Sequence, residues 1–132
     1  MTEAFNRRLI KNLLNSPKTH VFKATTPSGQ IVGNIIGVIH NVGDQTIGRI
    51  FSLGVSKEFR KKGIAFRLVK LQEEEFCLRG IKQIQLEVHA FNTTAQSFYK
   101  RCGYGMTNRV LFNFYHDGSD AYVMVKDLRI SP

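Results

Sequence analysis

The spacing of hydrophobic residues along this chain alternates between helical and strand periods. Phe5, Leu9, Ile10, Leu13 and Leu14 recur at helical intervals, so a helix is expected over residues 2–15, ending before Ser16-Pro17. Val21-Phe22-Lys23-Ala24 reads as a strand from His20 to Thr25, closed by the turn Thr26-Pro27-Ser28-Gly29. Residues 30–41 form the returning arm of a hairpin, rich in Ile and Val, and residues 46–55 a third strand. A helix over 64–79 places Ile64, Leu68, Leu71 and Leu78 on one flank, with Ala65, Val69 and Phe76 beside them, and Gly80 stops it. Over 83–90 apolar and polar residues alternate strictly: Ile84, Leu86 and Val88 face one side, and Gln85, Glu87 and His89 the other. A short helix carries Ala95, Phe98, Tyr99 and Cys102 and ends at Gly103. Strands over 107–115 and 121–128 then form a hairpin around His116-Asp117-Gly118-Ser119-Asp120.

This order specifies an α/β fold with a mixed central β-sheet and flanking helices. Helices between the strands at 46–55, 83–90 and 107–115 act as crossovers, so part of the sheet is expected to be parallel. Ligands of such sheets bind beyond the carboxyl ends of strands. One of those ends carries Arg60-Lys61-Lys62-Gly63-Ile64-Ala65. The turn joins a strand to a helix, and the first turn of a helix has unpartnered N–H groups and partial positive charge. Gly63 lets backbone approach an anion closely, and the three basic side chains add charge. From these six residues alone, a phosphate cradle and a solvated basic cap are both open readings.

Composition narrows the setting without choosing the chemistry. The 132 residues suit one domain, and 42% apolar with 22% charged residues is the balance of a globular chain. No stretch approaches the roughly 20 apolar residues of a membrane span, and no signal peptide opens the chain, so a cytoplasmic protein with no membrane contact is expected. Cys77 and Cys102 lack metal-ligand spacing and read as reduced thiols, and no metal is expected. A net charge of +9 points to a polyanionic partner: a nucleic acid, an acidic protein or a phosphorylated cofactor.

Two motifs, in order and on suitable elements, decide the matter. Arg60-Lys61-Lys62-Gly63-Ile64-Ala65 fits Arg/Gln-x-x-Gly-x-Gly/Ala, and Asn92-Thr93-Thr94-Ala95-Gln96-Ser97-Phe98-Tyr99-Lys100-Arg101-Cys102-Gly103-Tyr104 fits Asn-x-x-Ala-x-x-Phe/Leu-Tyr-x-x-x-Gly-Phe/Tyr. With both, the chain resembles the GNAT superfamily of acetyl-CoA-dependent N-acetyltransferases, as a single domain over residues 1–132. Leu86-Glu87-Val88-His89-Ala90-Phe91-Asn92 and the segment from Phe114-Tyr115 to Met124 resemble, more narrowly, the RimI-like protein N-alpha-acetyltransferases and the catalytic subunits of N-terminal acetyltransferases. That hairpin usually carries two adjacent tyrosines, and Phe114 replaces the first.

The resemblance implies acetyl-CoA as cosubstrate. Leu53, Gly54 and Val55 would hold its pantetheine arm; Gly54, inside an otherwise apolar strand, reads equally as a bulge that opens the slot or as a packing glycine. Arg60, Lys61, Lys62, Gly63, Ile64, Ala65 and Phe66 would hold the pyrophosphate, and Asn92 would contact the arm while capping the short helix. Tyr99 takes the general-acid position and Glu87 the general-base position, directly or through water; Phe114 and Tyr115 would line the acceptor site. His89 shares the face of Glu87 and reads better as structural. Cys102 reads as buried core, so direct attack in a ternary complex is expected rather than an acetyl-enzyme.

The implied acceptor is the α-amine of a protein N-terminus. Its pKa of roughly 7.7–8.0, against about 10.4 for lysine, makes modest demands on a base. A lysine, a polyamine or another small amine is the alternative within the fold, and a non-catalytic basic RNA- or ribosome-binding module the alternative outside it. Arg7, Arg8, Lys11 and Lys18 form a second basic region, which could meet a ribosome but reads more plainly as a solvated helix face. The family places a strand and another helix before the helix expected here at 2–15. The sheet is therefore expected to lack its usual first strand and to expose an edge that a partner strand, a homodimer or an N-terminal segment would cover.

Overall fold

A computed structural model of the chain describes residues 16–129. The helix expected over 2–15, with Arg7, Arg8 and Lys11, lies outside the described residues. Six strands form one sheet: β1 (Thr19–Thr25), β2 (Ile31–Val42), β3 (Gln45–Val55), β4 (Gln83–His89), β5 (Gly105–Leu111) and β6 (Ala121–Asp127). Two helices, α1 (Ile64–Leu78) and α2 (Thr93–Arg101), separate β3 from β4 and β4 from β5. The spatial order is β1-β2-β3-β4-β6-β5. Only β3 and β4 pair in parallel; every other neighbouring pair is antiparallel. The crossover through α2 does not place β5 beside β4, because β6 inserts between them.

Both helices pack on one face of the sheet. Ile35 from β2, Ile50 from β3, and Ile84, Leu86 and Val88 from β4 meet Leu68, Val69 and Phe76 from α1, with Tyr99 of α2 and Cys102 at its C-cap. Burying a Leu, Ile or Phe side chain contributes about 1.5–3 kcal/mol, so this layer supplies most of the stabilisation that holds the strands in register.

The buried stripe of α1 differs from its apolar stripe. Leu71 and Leu78, grouped by their spacing with Ile64 and Leu68, are 41% and 83% exposed, while Gln72 and Glu73 are buried. Both side chains are held by distant partners, although Gln72 Oε1 accepts no hydrogen bond among the described residues. Gln72 Nε2 donates to the His20 carbonyl at 2.9 Å, and its carboxamide lies where a Cβ on residue 37 would sit, 2.4 Å from that position, so Gly37 is needed there. Glu73 accepts from the Tyr104 hydroxyl at 2.9 Å and from Lys126 Nζ at 3.2 Å.

The last hairpin also differs from expectation. The strand expected over 107–115 ends at Leu111, and Asn113 takes a positive φ of 54°. Phe114 and Tyr115 therefore lie in the connection between β5 and β6. There the Tyr115 N–H donates to the Ser119 carbonyl at 3.1 Å, and the Tyr115 carbonyl accepts from the Gly118 N–H at 2.9 Å. Asp120 ties this connection to the end of β4 by accepting from the Ala90 N–H at 2.9 Å.

Candidate active site

The parallel pair comes apart partway along its length. β3 pairs with β4 only through Gly48↔Ile84, Arg49↔Gln85 and Ile50↔Leu86, although β3 continues to Val55 and β4 to His89. A bulge accompanies the fork: Gly37 lies opposite Ile50 and Ile36 opposite Ser52, which leaves Phe51 as the extra residue. The bulge expected at Gly54 is thus three residues earlier, and Gly54 pairs regularly with Asn34. Beyond Ile50, Leu53, Gly54 and Val55 keep β2 on one side and have no strand partner on the other among the described residues.

The basic turn closes one end of this fork. After a single 3₁₀ turn (Lys57–Phe59), Lys61 and Gly63 adopt positive φ of 63° and 81°. The Arg67 N–H makes the first helical bond, to the Gly63 carbonyl at 3.1 Å, leaving the N–H groups of Ile64, Ala65 and Phe66 without intrahelical partners. No side chain caps them, and no acidic residue occupies the first turn of α1. A Cβ on Gly63 would meet nothing within 4 Å, so the concavity is open. Lys61 and Lys62 are exposed beside it. Arg60 is partly committed elsewhere: its Nε donates to the Val55 carbonyl at 3.0 Å, pinning the turn to the end of β3. Phe66 is exposed, with the Lys70 ammonium 5.6 Å from its ring centre. The donor set of this turn suits a phosphate group.

At the other arm of the fork, Glu87 projects from β4 on the face opposite Leu86 and Val88, and its side chain is only 8% exposed. Its partner is an arginine: Arg49 Nε and Nη2 donate to Glu87 Oε1 at 2.8 and 2.5 Å. Tyr115 is buried nearby, and burial together with the Glu87 charge pushes its hydroxyl up to about 12, against a smaller opposing effect of Arg49. His40, on β2, is held below the usual histidine value by burial and by the Arg49 charge.

His89 stacks on Tyr115, with ring centres 5.0 Å apart and planes 23° apart. Its Nδ1 accepts from the Phe91 N–H at 3.1 Å. That bond makes Nδ1 the acceptor of the ring and leaves Nε2 as its other nitrogen.

Tyr99 enters from α2. Its ring sits edge-on to Phe98 at 5.2 Å and to Tyr104 at 5.8 Å. Local chain geometry fixes that packing. Gly103 takes φ 98° just past the helix, allowing the Gly103 N–H to reach the Lys100 carbonyl at 3.0 Å and the Tyr104 N–H to reach the Tyr99 carbonyl at 2.9 Å. This turn brings Tyr104 back onto Tyr99. The Tyr99 hydroxyl makes no hydrogen bond among the described residues. Burial raises it well above the usual tyrosine value, with Cys102 and then Tyr115 adding to the shift. Tyr115 is therefore coupled to both Tyr99 and Glu87, which belong to opposite faces of the sheet.

Asn92 caps α2, its Oδ1 accepting from the Ala95 N–H at 2.9 Å. Cys102 is buried, and burial followed by the Glu73 charge raises its thiol. Two residues that sequence reasoning passed over belong to the site's framework. Arg49 grips Glu87, and Gln96 Nε2 donates to the His89 and Ala90 carbonyls at 3.1 and 3.0 Å, fixing the end of β4. The signal for Arg49 was a lone cation in an otherwise uncharged strand.

Comparison with known proteins agrees with this architecture. The Acetyltransferase (GNAT) family profile matches residues 2–104. An uncharacterized N-acetyltransferase of Methanocaldococcus jannaschii is 39% identical over 98 residues, which is 74% of this chain and 62% of the relative. The catalytic subunit of the N-terminal acetyltransferase B complex of Arabidopsis thaliana is 29% identical over 129 residues, covering 97% of this chain and 74% of that subunit. Among solved structures, Naa20 of Chaetomium thermophilum in complex with a bisubstrate analogue superposes with a TM-score of 0.76 at 27% identity, over 81% of this chain and 65% of that one. The chain thus spans less than two thirds of the length of the archaeal relative.

Proposed function

The chain belongs to the acetyltransferase (GNAT) family, and from that premise we propose that it transfers acetyl from acetyl-CoA to the α-amine of a protein N-terminus, by direct attack in a ternary complex. The observation that carries this reading is the fork between β3 and β4, with a phosphate-binding turn at one end and a paired carboxylate and two buried tyrosines at the other. The likeness to N-terminal acetyltransferase catalytic subunits supports the choice of acceptor.

In this reading, Leu53, Gly54 and Val55 offer their unpaired strand edge to the pantetheine arm, and Asn92 contacts it. The turn from Arg60 to Phe66 holds the pyrophosphate through the open N–H groups of α1 and the lysines beside them. Phe114 and Tyr115 border the acceptor amine. The amine nitrogen attacks the thioester carbonyl; a C–N bond forms, the C–S bond breaks, and the amine proton passes to Glu87 directly or through water. Tyr99 donates a hydrogen bond to the departing sulfur. An α-amine with a pKa of roughly 7.7–8.0 is partly neutral at physiological pH, so a carboxylate suffices as proton acceptor. A cytoplasmic location and contact of the basic surface with ribosomes belong to the same proposal.

Initial rates of thiol release, with acetyl-CoA and a peptide bearing a free N-terminus varied together, test it. Intersecting double-reciprocal lines are expected. Parallel lines would overturn direct attack, and no turnover with any peptide N-terminus would overturn the acceptor assignment.

A further inference from the structure

We propose that Arg49 is a positioning residue for the reaction, acting through Glu87: it anchors one oxygen of that buried carboxylate and leaves the other turned toward the acceptor amine. The inference rests on the reading of Glu87 as the proton acceptor.

Arg49 occupies the middle of the three residue pairs that join β3 to β4, immediately before the strands separate. Its side chain leaves the face opposite the helices and reaches along β4 to Glu87, with the guanidinium 5.7 Å from the centre of the Phe51 ring. The placement matters because the Glu87 side chain is 8% exposed and that of Arg49 22%. A carboxylate so nearly removed from water is costly to keep charged without a partner. Two titratable groups that feel both charges of this pair are His40 from β2 and Tyr115 from the β5–β6 connection. His40 is pushed toward its neutral form and Tyr115 is held protonated, so neither supplies a positive charge in place of Arg49.

The geometry of the contact adds a second function. A guanidinium commonly meets a carboxylate as fork on fork, one N–H to each oxygen. Here both donors converge on Oε1, and Oε2 accepts no hydrogen bond among the described residues. One oxygen is thereby anchored at the apex of the fork, and the other is left to receive an ammonium or a bridging water. A lysine could supply the charge but not two N–H groups in a fixed plane, so it would orient the carboxylate less well.

The test is a kinetic cycle on the full chain with acetyl-CoA and a free-N-terminus peptide, comparing Glu87→Gln, Arg49→Met, Arg49→Lys and the double variant Arg49→Met/Glu87→Gln. Arg49→Met is expected to lower kcat about 30-fold with KM for acetyl-CoA unchanged, and Arg49→Lys to recover to within about threefold of the parent. In the Glu87→Gln background, Arg49→Met should add almost nothing, because its effect runs through the missing carboxylate. Losses that multiply, or an Arg49→Met variant as active as the parent while Glu87→Gln is slow, would overturn this proposal alone. Full activity of Glu87→Gln would instead overturn the proton-acceptor assignment beneath it. If Arg49→Met does not fold, the same cycle runs with Arg49→Lys: a loss seen only with Glu87 present supports the proposal, and equal losses in both backgrounds overturn it.

Discussion

Tyr99→Phe is expected to lower kcat by about 10²–10³-fold, with acetyl-CoA binding and thermal stability nearly unchanged. The substitution removes only the hydroxyl and keeps the ring, so the edge-on contacts with Phe98 and Tyr104 persist. The hydroxyl holds no hydrogen-bond partner among the described residues, and its loss should cost less than about 1 kcal/mol of folding free energy. Its chemistry follows from its surroundings. Burial, Cys102 and Tyr115 together raise it above the ordinary phenol value, so it remains protonated throughout the working pH range. The same shift makes complete proton transfer to a thiolate, whose ordinary thiol pKa is about 8.5, unfavourable at equilibrium. In the proposed reaction Tyr99 therefore acts chiefly as a preorganised donor to sulfur as charge develops, and such donors are worth about 10²–10³ in rate. Thiol-release kinetics and a melting curve on the same preparation check this. An unchanged kcat, or a fall in kcat matched by a fall in stability, would contradict it.

Lys126→Met should produce the largest loss of stability, about 3–5 kcal/mol by denaturant unfolding. Lys126 Nζ lies 3.2 Å from Glu73 and 2.8 Å from the Cys102 carbonyl, with side chains of the ion pair 13% and 8% exposed. Deleting the ammonium strands a buried carboxylate whose remaining protein donor is the Tyr104 hydroxyl. Replacing both partners, as Glu73→Leu with Lys126→Met, should cost far less than Lys126→Met alone, because desolvation of the lone charge is then removed. Because Cys102 caps α2 and Tyr104 packs on Tyr99, the single change is also expected to loosen the helix that carries Tyr99. Equal unfolding free energies for parent and single variant would show that the pair contributes nothing.

How much of this was legible in the sequence depends on how local each cause is. Strand alternation across Gln83–His89, the glycine-bearing basic turn and the Asn92 cap all act within a few residues, and the structure places each element close to where the pattern puts it. The buried stripe of α1 does not follow its apolar spacing because Gln72 and Glu73 are buried by partners far away in the chain, 52 residues for His20 and 53 for Lys126. Periodicity assigns such side chains to solvent, since it counts polarity and has no knowledge of a distant donor. Arg49 was overlooked for the same reason, being 38 residues from Glu87. The bulge fell at Phe51 rather than Gly54 because strand registry, not the presence of a glycine, decides where an extra residue is accommodated. The strand ended early, at Leu111, and the left-handed backbone of Asn113 keeps Phe114 and Tyr115 out of it.

One peptide carrying both a free α-amine and an internal lysine tests the acceptor assignment most directly, incubated with acetyl-CoA and the protein and mapped by fragmentation mass spectrometry. Acetyl on the N-terminal nitrogen, in excess over the lysine by at least about tenfold, is the expected result. Equal labelling of the two amines, or preference for the lysine, would contradict it.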